Sequence, residues 1–365
     1  MKKRNKLGLL LLGVALVMLL YARRQREADA AAAAPAASAG QTCYGIGFYN
    51  VENLFDTIHD AGKNDYDFLP DGSYAWTAEK YEAKLANIAR VLSELCPAAT
   101  AGHAALIGIA EVENRHALDD LTAQPALAAL GLKYAHIEGP DKRGIDCAVV
   151  YDPALFHPFA TRLVPYVDPE RPDYLTRGFL VVSGTMADDT VHAVVCHWPS
   201  RATGEEARIL AGRQTRAVAD SLLRSFPTSK VVVMGDLNDD PADRSLAEGL
   251  ACKYEPTGVR PHELFNPWRA THVADTVARG RGTLVFQGKW NLFDQIVVSG
   301  TLLDAGNGGL RYVRNEIFKP DYLLQDEGKN GENRKYAGTP LRTHAGGRWL
   351  NGYSDHLPTM IYLTK

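Results

Sequence analysis

The chain has 365 residues, 46% hydrophobic and 23% charged, an ordinary globular composition that allows one large α/β domain or two small ones with a substantial core. No tract outside the N-terminus is long and apolar enough to span a bilayer. Residues 1–43 hold seven of the 40 basic residues and two of the 43 acidic ones, so the rest carries 33 basic against 41 acidic side chains, a net −8; that excludes broad phosphate neutralisation of a polynucleotide and leaves contact that is local or bridged by metal.

Lys2, Lys3, Arg4 and Lys6 precede Leu7–Leu20, which is apolar apart from two glycines. That is the order of a bacterial export signal, and the run is shorter than the ~20 residues of a usual spanning helix. Arg23, Arg24 and Arg26 follow, then an alanine-rich stretch to Gly40 with Ala28-Asp29-Ala30 and Ala37-Ser38-Ala39 as candidate cleavage points. Positive charge on both flanks leaves a cleaved signal and a retained anchor equally supported. The expectation is an export signal or membrane anchor over 1–27 (a tether through 7–22), a linker over 28–42 and the functional domain over 43–365. The protein is then periplasmic, secreted or held on the outer side of a bacterial inner membrane. No Cys follows the apolar run in a lipobox-like position, which argues against a lipoprotein.

Tyr44–Val51 reads as a strand. Thr77–Leu95 reads as a helix with Thr77 as N-cap and Tyr81, Leu85, Ile88, Leu92 and Leu95 as its apolar stripe. Ala105–Glu111 is a second strand, with two short helical stretches after it up to Leu130. Further strand runs are Asp146–Tyr151, Phe179–Met186, Val191–Trp198, Lys230–Gly235, Asp294–Ser299 and His356–Leu363, with a polar helix from Glu205 to about Leu223. The stretches of about 255–290 and 315–353 read as long loops, of the kind that is functional or mobile. Strands mixed with helices indicate α/β or α+β, two packed sheets flanked by helices. The five cysteines (Cys43, Cys96, Cys147, Cys196, Cys252) form no C-x-x-C pair. Export permits a disulfide, but Cys147 and Cys196 lie inside apolar runs and read as buried free thiols.

Polar residues recur where the apolar runs stop: Asn50, Glu111, His197, Asp236 with Asn238, Asp294, and Asp355 with His356. One acid or amide at a strand end is ordinarily a turn-former or helix cap. Six such ends together supply hard oxygen ligands suited to Mg2+ or Ca2+, two imidazoles, and no thiolate set suited to zinc.

The blocks Gly235-Asp236-Leu237-Asn238 and Ser354-Asp355-His356-Leu357-Pro358, with Phe293-Asp294-Gln295-Ile296 between them and Glu111 before them, give a chain that resembles the endonuclease/exonuclease/phosphatase superfamily from about Tyr44 to Lys365. The resemblance implies a four-layer sandwich, two packed mixed β-sheets flanked by helices, and a hydrolase dependent on Mg2+ (or Ca2+/Mn2+). It implies Glu111 as the main metal carboxylate with Asn50 and Asp355 at the metal site. Asp236 would orient or deprotonate the attacking water, and Asn238 would hold a phosphate oxygen. His356 would contact the scissile phosphate with Asp294 behind it, and Asp146 would support His197 in the same way. Two imidazole–acid pairs bracketing one phosphate suit an in-line attack that builds charge on the equatorial oxygens and leaving group.

His197-Trp198-Pro199-Ser200-Arg201 resembles the deoxyribonuclease-like and lipid-phosphodiesterase branches, which carry histidine where abasic-site endonucleases have tyrosine. Glu111-Val112-Glu113-Asn114 resembles a form seen in secreted bacterial nucleases of the superfamily. Arg201 reads either as a contact to a flanking phosphate or as a solvated helix-start charge. Glu113 reads as a second metal ligand or as a charge facing a helix dipole. Trp290, four residues before Asp294, reads as a stacking platform for a base or sugar, or as a core or rim residue; Trp76, Trp268 and Trp349 share that ambiguity. The leading expectation is an exported nuclease cleaving DNA, RNA or both. The alternatives are a hydrolase of lipid head groups or small phosphate esters, and a binding protein that kept the fold without activity.

Overall fold

The computed structural model describes residues 41–304, 308–328, 331 and 333–365. The expected signal or anchor and most of the linker lie outside these residues. Among the described residues no helix is long and apolar enough to cross a membrane.

Twelve strands make two six-stranded mixed sheets. In the first, β1 (Cys43–Leu54), β2 (Leu106–Val112), β3 (Lys133–His136), β4 (Asp146–Tyr151), β13 (Arg311–Ile317) and β16 (Thr359–Thr364) run in the order β13-β16-β1-β2-β4-β3. In the second, β5 (His157–Val164), β6 (Phe179–Met186), β7 (Asp189–His197), β8 (Lys230–Asp236), β9 (Leu264–Phe265) and β12 (Asp294–Ser299) run in the order β5-β6-β7-β8-β12-β9. Two short hairpins, β10 (Leu284–Phe286) with β11 (Lys289–Asn291) and β14 (His344–Ala345) with β15 (Arg348–Trp349), lie apart from them.

The period of two along the strands dictates the layers. On β8, Val232 and Met234 enter a core shared with Ile46, Phe48, Leu106 and Val149 of the first sheet. Val231 and Val233, alternating with them in sequence, face outward with Ala211, Val218, Ala219 and Leu222 of the helix Glu205–Ser225. On the first sheet Tyr49, Ile107 and Ile109 face outward against Leu85, Ile88 and Leu92 of the helix Ala78–Glu94. Four layers result, helix, sheet, sheet, helix, as the sequence implied. Where the sheets meet, Gly108 leaves room: a Cβ there would lie 2.6 Å from Met234 Sδ.

Thr77 caps its helix, accepting the Lys80 N–H, and the helix ends within a residue of the stripe that predicted it. The last strand starts at Thr359 rather than His356, because Pro358 cannot donate to a ladder. The stretches expected as loops are partly structured. They contain β9, the helix Trp268–Thr271, a π-helical turn at His272–Val277, both hairpins and the end of β13. All five cysteines are free, with Cys43 partly exposed and the others buried.

Candidate active site

Topology brings the polar strand ends to one edge of the sandwich. β1 and β2 are parallel, as are β7 and β8, so Asn50, Glu111, His197 and Asp236 all sit at C-terminal strand ends. β12 runs antiparallel to β8, and β16 antiparallel to β1, so Asp294 and the turn Ser354–Pro358 enter the same edge from the opposite chain direction. His197 pairs with Asp236, and Asp236 with Asp294, in one rung across β7, β8 and β12. Residues directly opposed in a sheet point to the same face, so register alone gathers three of the polar side chains.

Glu111 arrives by a different device. Ala110 opposes Cys147 and Val112 opposes Asp146 on β4, which leaves Glu111 as the extra residue of a bulge, at φ 68°. A bulge re-aims its side chain at a local cost in backbone strain. The Glu111 carboxylate accepts from the Asn53 N–H (3.0 Å) and from Asn50 Nδ2 (3.2 Å).

Asp236 Oδ2 is the centre. It lies 3.1 Å from Asn50 Nδ2, 3.6 Å from His197 Nε2 and 3.8 Å from His356 Nε2, and His197 Nε2 is also 3.8 Å from Glu111 Oε1. His356 Nδ1 donates to Asp294 at 2.8 Å, and Ser354 Oγ fixes the turn by accepting the His356 N–H and donating to the Asn50 carbonyl. Asn238, at φ 53°, donates its amide to the Trp198 carbonyl (3.0 Å). Asp355 pairs with Arg342 at 2.8 Å and lies 3.8 Å from His356 Nε2.

The two imidazoles differ in charge. Burial lowers the pKa of His197, and the Arg177 and Arg143 guanidiniums lower it further, so the ring is neutral. Burial would lower that of His356 too, but the Asp294 and Asp236 carboxylates outweigh it and hold this ring as imidazolium. Burial raises Asp236 to about 7, reinforced by the Asp294 and Glu111 carboxylates and opposed by His356.

The structure therefore brings together Asn50, Glu111, His197, Asp236, Asp294 and His356, with Asn238 and Asp355 adjoining. Three sequence readings change, and a fourth, that of Trp290, keeps its core-or-rim alternative. Asp146 does not support His197: it accepts from His136 Nε2 (3.1 Å) and the Gly139 N–H (3.0 Å), which pins the turn after β3, and the buried His197 Nδ1 has no partner among the described residues. Arg201 is half-buried, and the Asn238 carbonyl and the carboxylates of Asp239, Asp240 and Asp243 already engage its guanidinium. Glu113 is buried and accepts the Asp56 N–H; burial, with Asp56, Asp60 and Asp65 nearby, pushes it up to about 9, so it is a neutral internal acid. Trp290 is half-buried on the β10–β11 hairpin against the helix-side core; Trp76 and Trp268 are wholly buried.

Sequence reading missed Glu52, Arg177 and Arg342. Arg177 donates to Asp141 and to the Trp198 carbonyl beside His197. It also lines a cavity of about 250 Å³ with Lys142, Arg143 and Tyr174. Arg342 and Glu52 pair at 3.4 Å next to Asp355. Arg342 lay in an apparent loop and carried no signal; Glu52, two residues past Asn50, was legible only as a continuation of β1.

A divalent cation fits this chemistry. Glu111 and Asp236 are carboxylates facing one space between two imidazoles, and only the Asn50 amide stands between them. Magnesium takes few protein carboxylates and keeps water or substrate oxygens. Among the described residues no group of three or more His, Cys, Asp or Glu is already placed to hold a metal ion, so the protein would supply only part of the coordination. Asn50 Oδ1 accepts the Glu52 N–H, and its Nδ2 donates to both the Glu111 and the Asp236 carboxylates.

The sequence pattern of the Endonuclease/Exonuclease/phosphatase family matches residues 45–365, and no curated protein sequence matches the chain significantly. Among solved structures it is similar to ANGEL2, a 2',3'-cyclic phosphatase (TM-score 0.56, 14% identity, covering 89% of this chain and 96% of that one). It is similar to TDP2 of D. rerio complexed with a single-strand DNA product (0.51, 14%, 88% and 99%). It is similar too to the mannosyl-6-phosphatase of Bacteroides thetaiotaomicron VPI-5482 (0.50, 15%, 88% and 99%).

Proposed function

Because the chain belongs to the endonuclease/exonuclease/phosphatase family, and is thereby a phosphoester hydrolase, we propose that it cleaves phosphodiester bonds of nucleic acid by metal-assisted in-line attack of water, as an exported enzyme. The observation that carries this reading is the convergence of His197, His356 and Asn50 on Asp236 Oδ2 within 3.1–3.8 Å, with Asp294 behind His356. Such a group can orient water and stabilise a pentacoordinate phosphate at once.

Glu111, with Asn50 and Asp355 adjoining, would hold the cation, which when bound supplies Lewis-acid stabilisation of the phosphate charge. Asp236 sits where it would orient and deprotonate the attacking water. His356, kept cationic by Asp294, presents Nε2–H to a phosphate oxygen. Neutral His197 faces the same space. Asn238 gives one amide proton to Trp198 and keeps the other for a substrate oxygen.

Nucleic acid is favoured over lipid by Lys142 and Arg143, which line the cavity beside buried Arg177 together with Asp141 and Asp173; Arg342, on the Asp355 side, is already paired with Glu52 and Asp355. The similar mannosyl-6-phosphatase is named for a sugar phosphate, which keeps small phosphate esters as the second reading. The test is hydrolysis of plasmid DNA, RNA, sphingomyelin and bis-p-nitrophenyl phosphate by wild type and His356→Ala, with Mg2+, Mn2+, Ca2+ or EDTA. Metal-dependent cleavage of a polynucleotide that His356→Ala abolishes is the expected result. Cleavage of lipid or small esters alone would overturn the substrate, and activity unchanged by EDTA and by the substitution would overturn the mechanism.

A further inference from the structure

Arg201 is half-buried, and its polar contacts all run to the catalytic edge and the turn that follows it. Its Nε donates to the Asn238 carbonyl (3.1 Å) and its guanidinium to Asp243 (2.9 Å), with Asp239 and Asp240 each at 3.5 Å. Its planar face lies over the Phe293 ring, 4.4 Å to the centroid. Asn238 is in the left-handed region at φ 53°, which asparagine tolerates better than other side chains and which its own bonds to Asp236 and Trp198 help to fix. Phe293 immediately precedes Asp294, and its carbonyl accepts the Leu237 N–H, between Asp236 and Asn238.

We propose that Arg201 is a positioning residue that locks the Asn238 turn and, through Phe293, the strand end carrying Asp294, rather than a contact for substrate phosphate. One guanidinium thereby clamps the ends of β7, β8 and β12, the three strands of the catalytic rung. The carboxylates of Asp239, Asp240 and Asp243 hold the clamp in place, with Arg208 sharing Asp239 at 2.8 Å. A planar fork with a stackable face serves here and a lysine ammonium does not.

The inference rests on the phosphodiesterase reading above, and the test separates the two. Steady-state kinetics with Mg2+ and bis-p-nitrophenyl phosphate are measured for wild type, Arg201→Ala and Arg201→Lys. Loss of an outer-shell partner is expected to lower kcat about 10–100-fold with KM nearly unchanged, and guanidinium ion at sub-denaturing concentration should restore part of kcat in Arg201→Ala alone. Raised KM with kcat kept, or no change in either, would overturn the proposal. A crystal structure of Arg201→Ala, or of Arg201→Lys if the alanine variant does not fold, gives a second readout: Asn238 should leave the left-handed region and its bond to Trp198. If wild type hydrolyses no phosphoester, the functional reading fails, and an Asn238 unmoved in that structure would overturn the clamp by itself.

Discussion

At the scale of single residues, the two imidazoles of the site are not equivalent. His356 has a carboxylate partner at 2.8 Å and is held cationic; His197 has no carboxylate on its Nδ1 and is held neutral by burial and two arginines. His356→Ala and Asp294→Asn should each lower kcat by roughly 10²–10⁴-fold, measured on a chromogenic diester. Asp146→Ala should behave differently. It removes acceptors from His136 and Gly139, not from His197, so it should destabilise the fold by about 1–3 kcal/mol in urea denaturation while kcat in the folded fraction stays within severalfold. A kcat loss in Asp146→Ala equal to that of His197→Ala would show that the pair forms in the working enzyme.

At the scale of elements, legibility followed burial. β8, β12 and β2 are apolar runs buried on both faces, and the sequence marks them within a residue or two. β5 and β13 escaped because each is an edge strand with no fully buried position, so neither shows alternation or an apolar run. The same logic divides the site. His197, Asp236 and Asp294 were legible because each closes or opens an apolar run, and pairing then placed them in one rung. Arg342, Arg177 and the misassigned partner of Asp146 were not, because their neighbours come from turns whose course no local pattern specifies. The bulge at Glu111 was invisible for a related reason: it is defined by what faces it on β4. Packing between the sheets gives a further test. Gly108→Ala would press on Met234 and on Val195, at a cost of about 1–3 kcal/mol for overpacking. In a Met234→Ala background the same change should cost less, and equal costs in both backgrounds would contradict the tight approach.

At the scale of the whole molecule, stability should fall in mild acid through a residue remote from catalysis. His192 is buried on β7, shares a hydrogen bond with Ser183 at 2.7 Å, and leaves Nε2 without a partner among the described residues. Burial, with Arg162 adding to it, lowers its pKa from the ordinary 6.5 to about 4. The unfolded chain then binds the extra proton between those values, so the contribution is complete above about pH 6.5 and is lost as pH falls toward 4. Between pH 7 and pH 5 this amounts to about 2 kcal/mol, and urea denaturation of His192→Leu should show a correspondingly flatter pH dependence. The overall charge carries a second lesson. On the proposed function, a body with a net −8 outside residues 1–43 would meet a polyanion only through a local set of cations and a bound metal, so catalysis would concentrate at the one edge where Asp236 gathers its neighbours. The most direct measurement of that claim is the rate of bis-p-nitrophenyl phosphate hydrolysis at saturating Mg2+ for wild type and Asp236→Asn, an exchange that keeps shape and removes charge. A loss of about 10²-fold or more with the fold intact is the result expected, and an Asp236→Asn enzyme that turns over at the wild-type rate would contradict it.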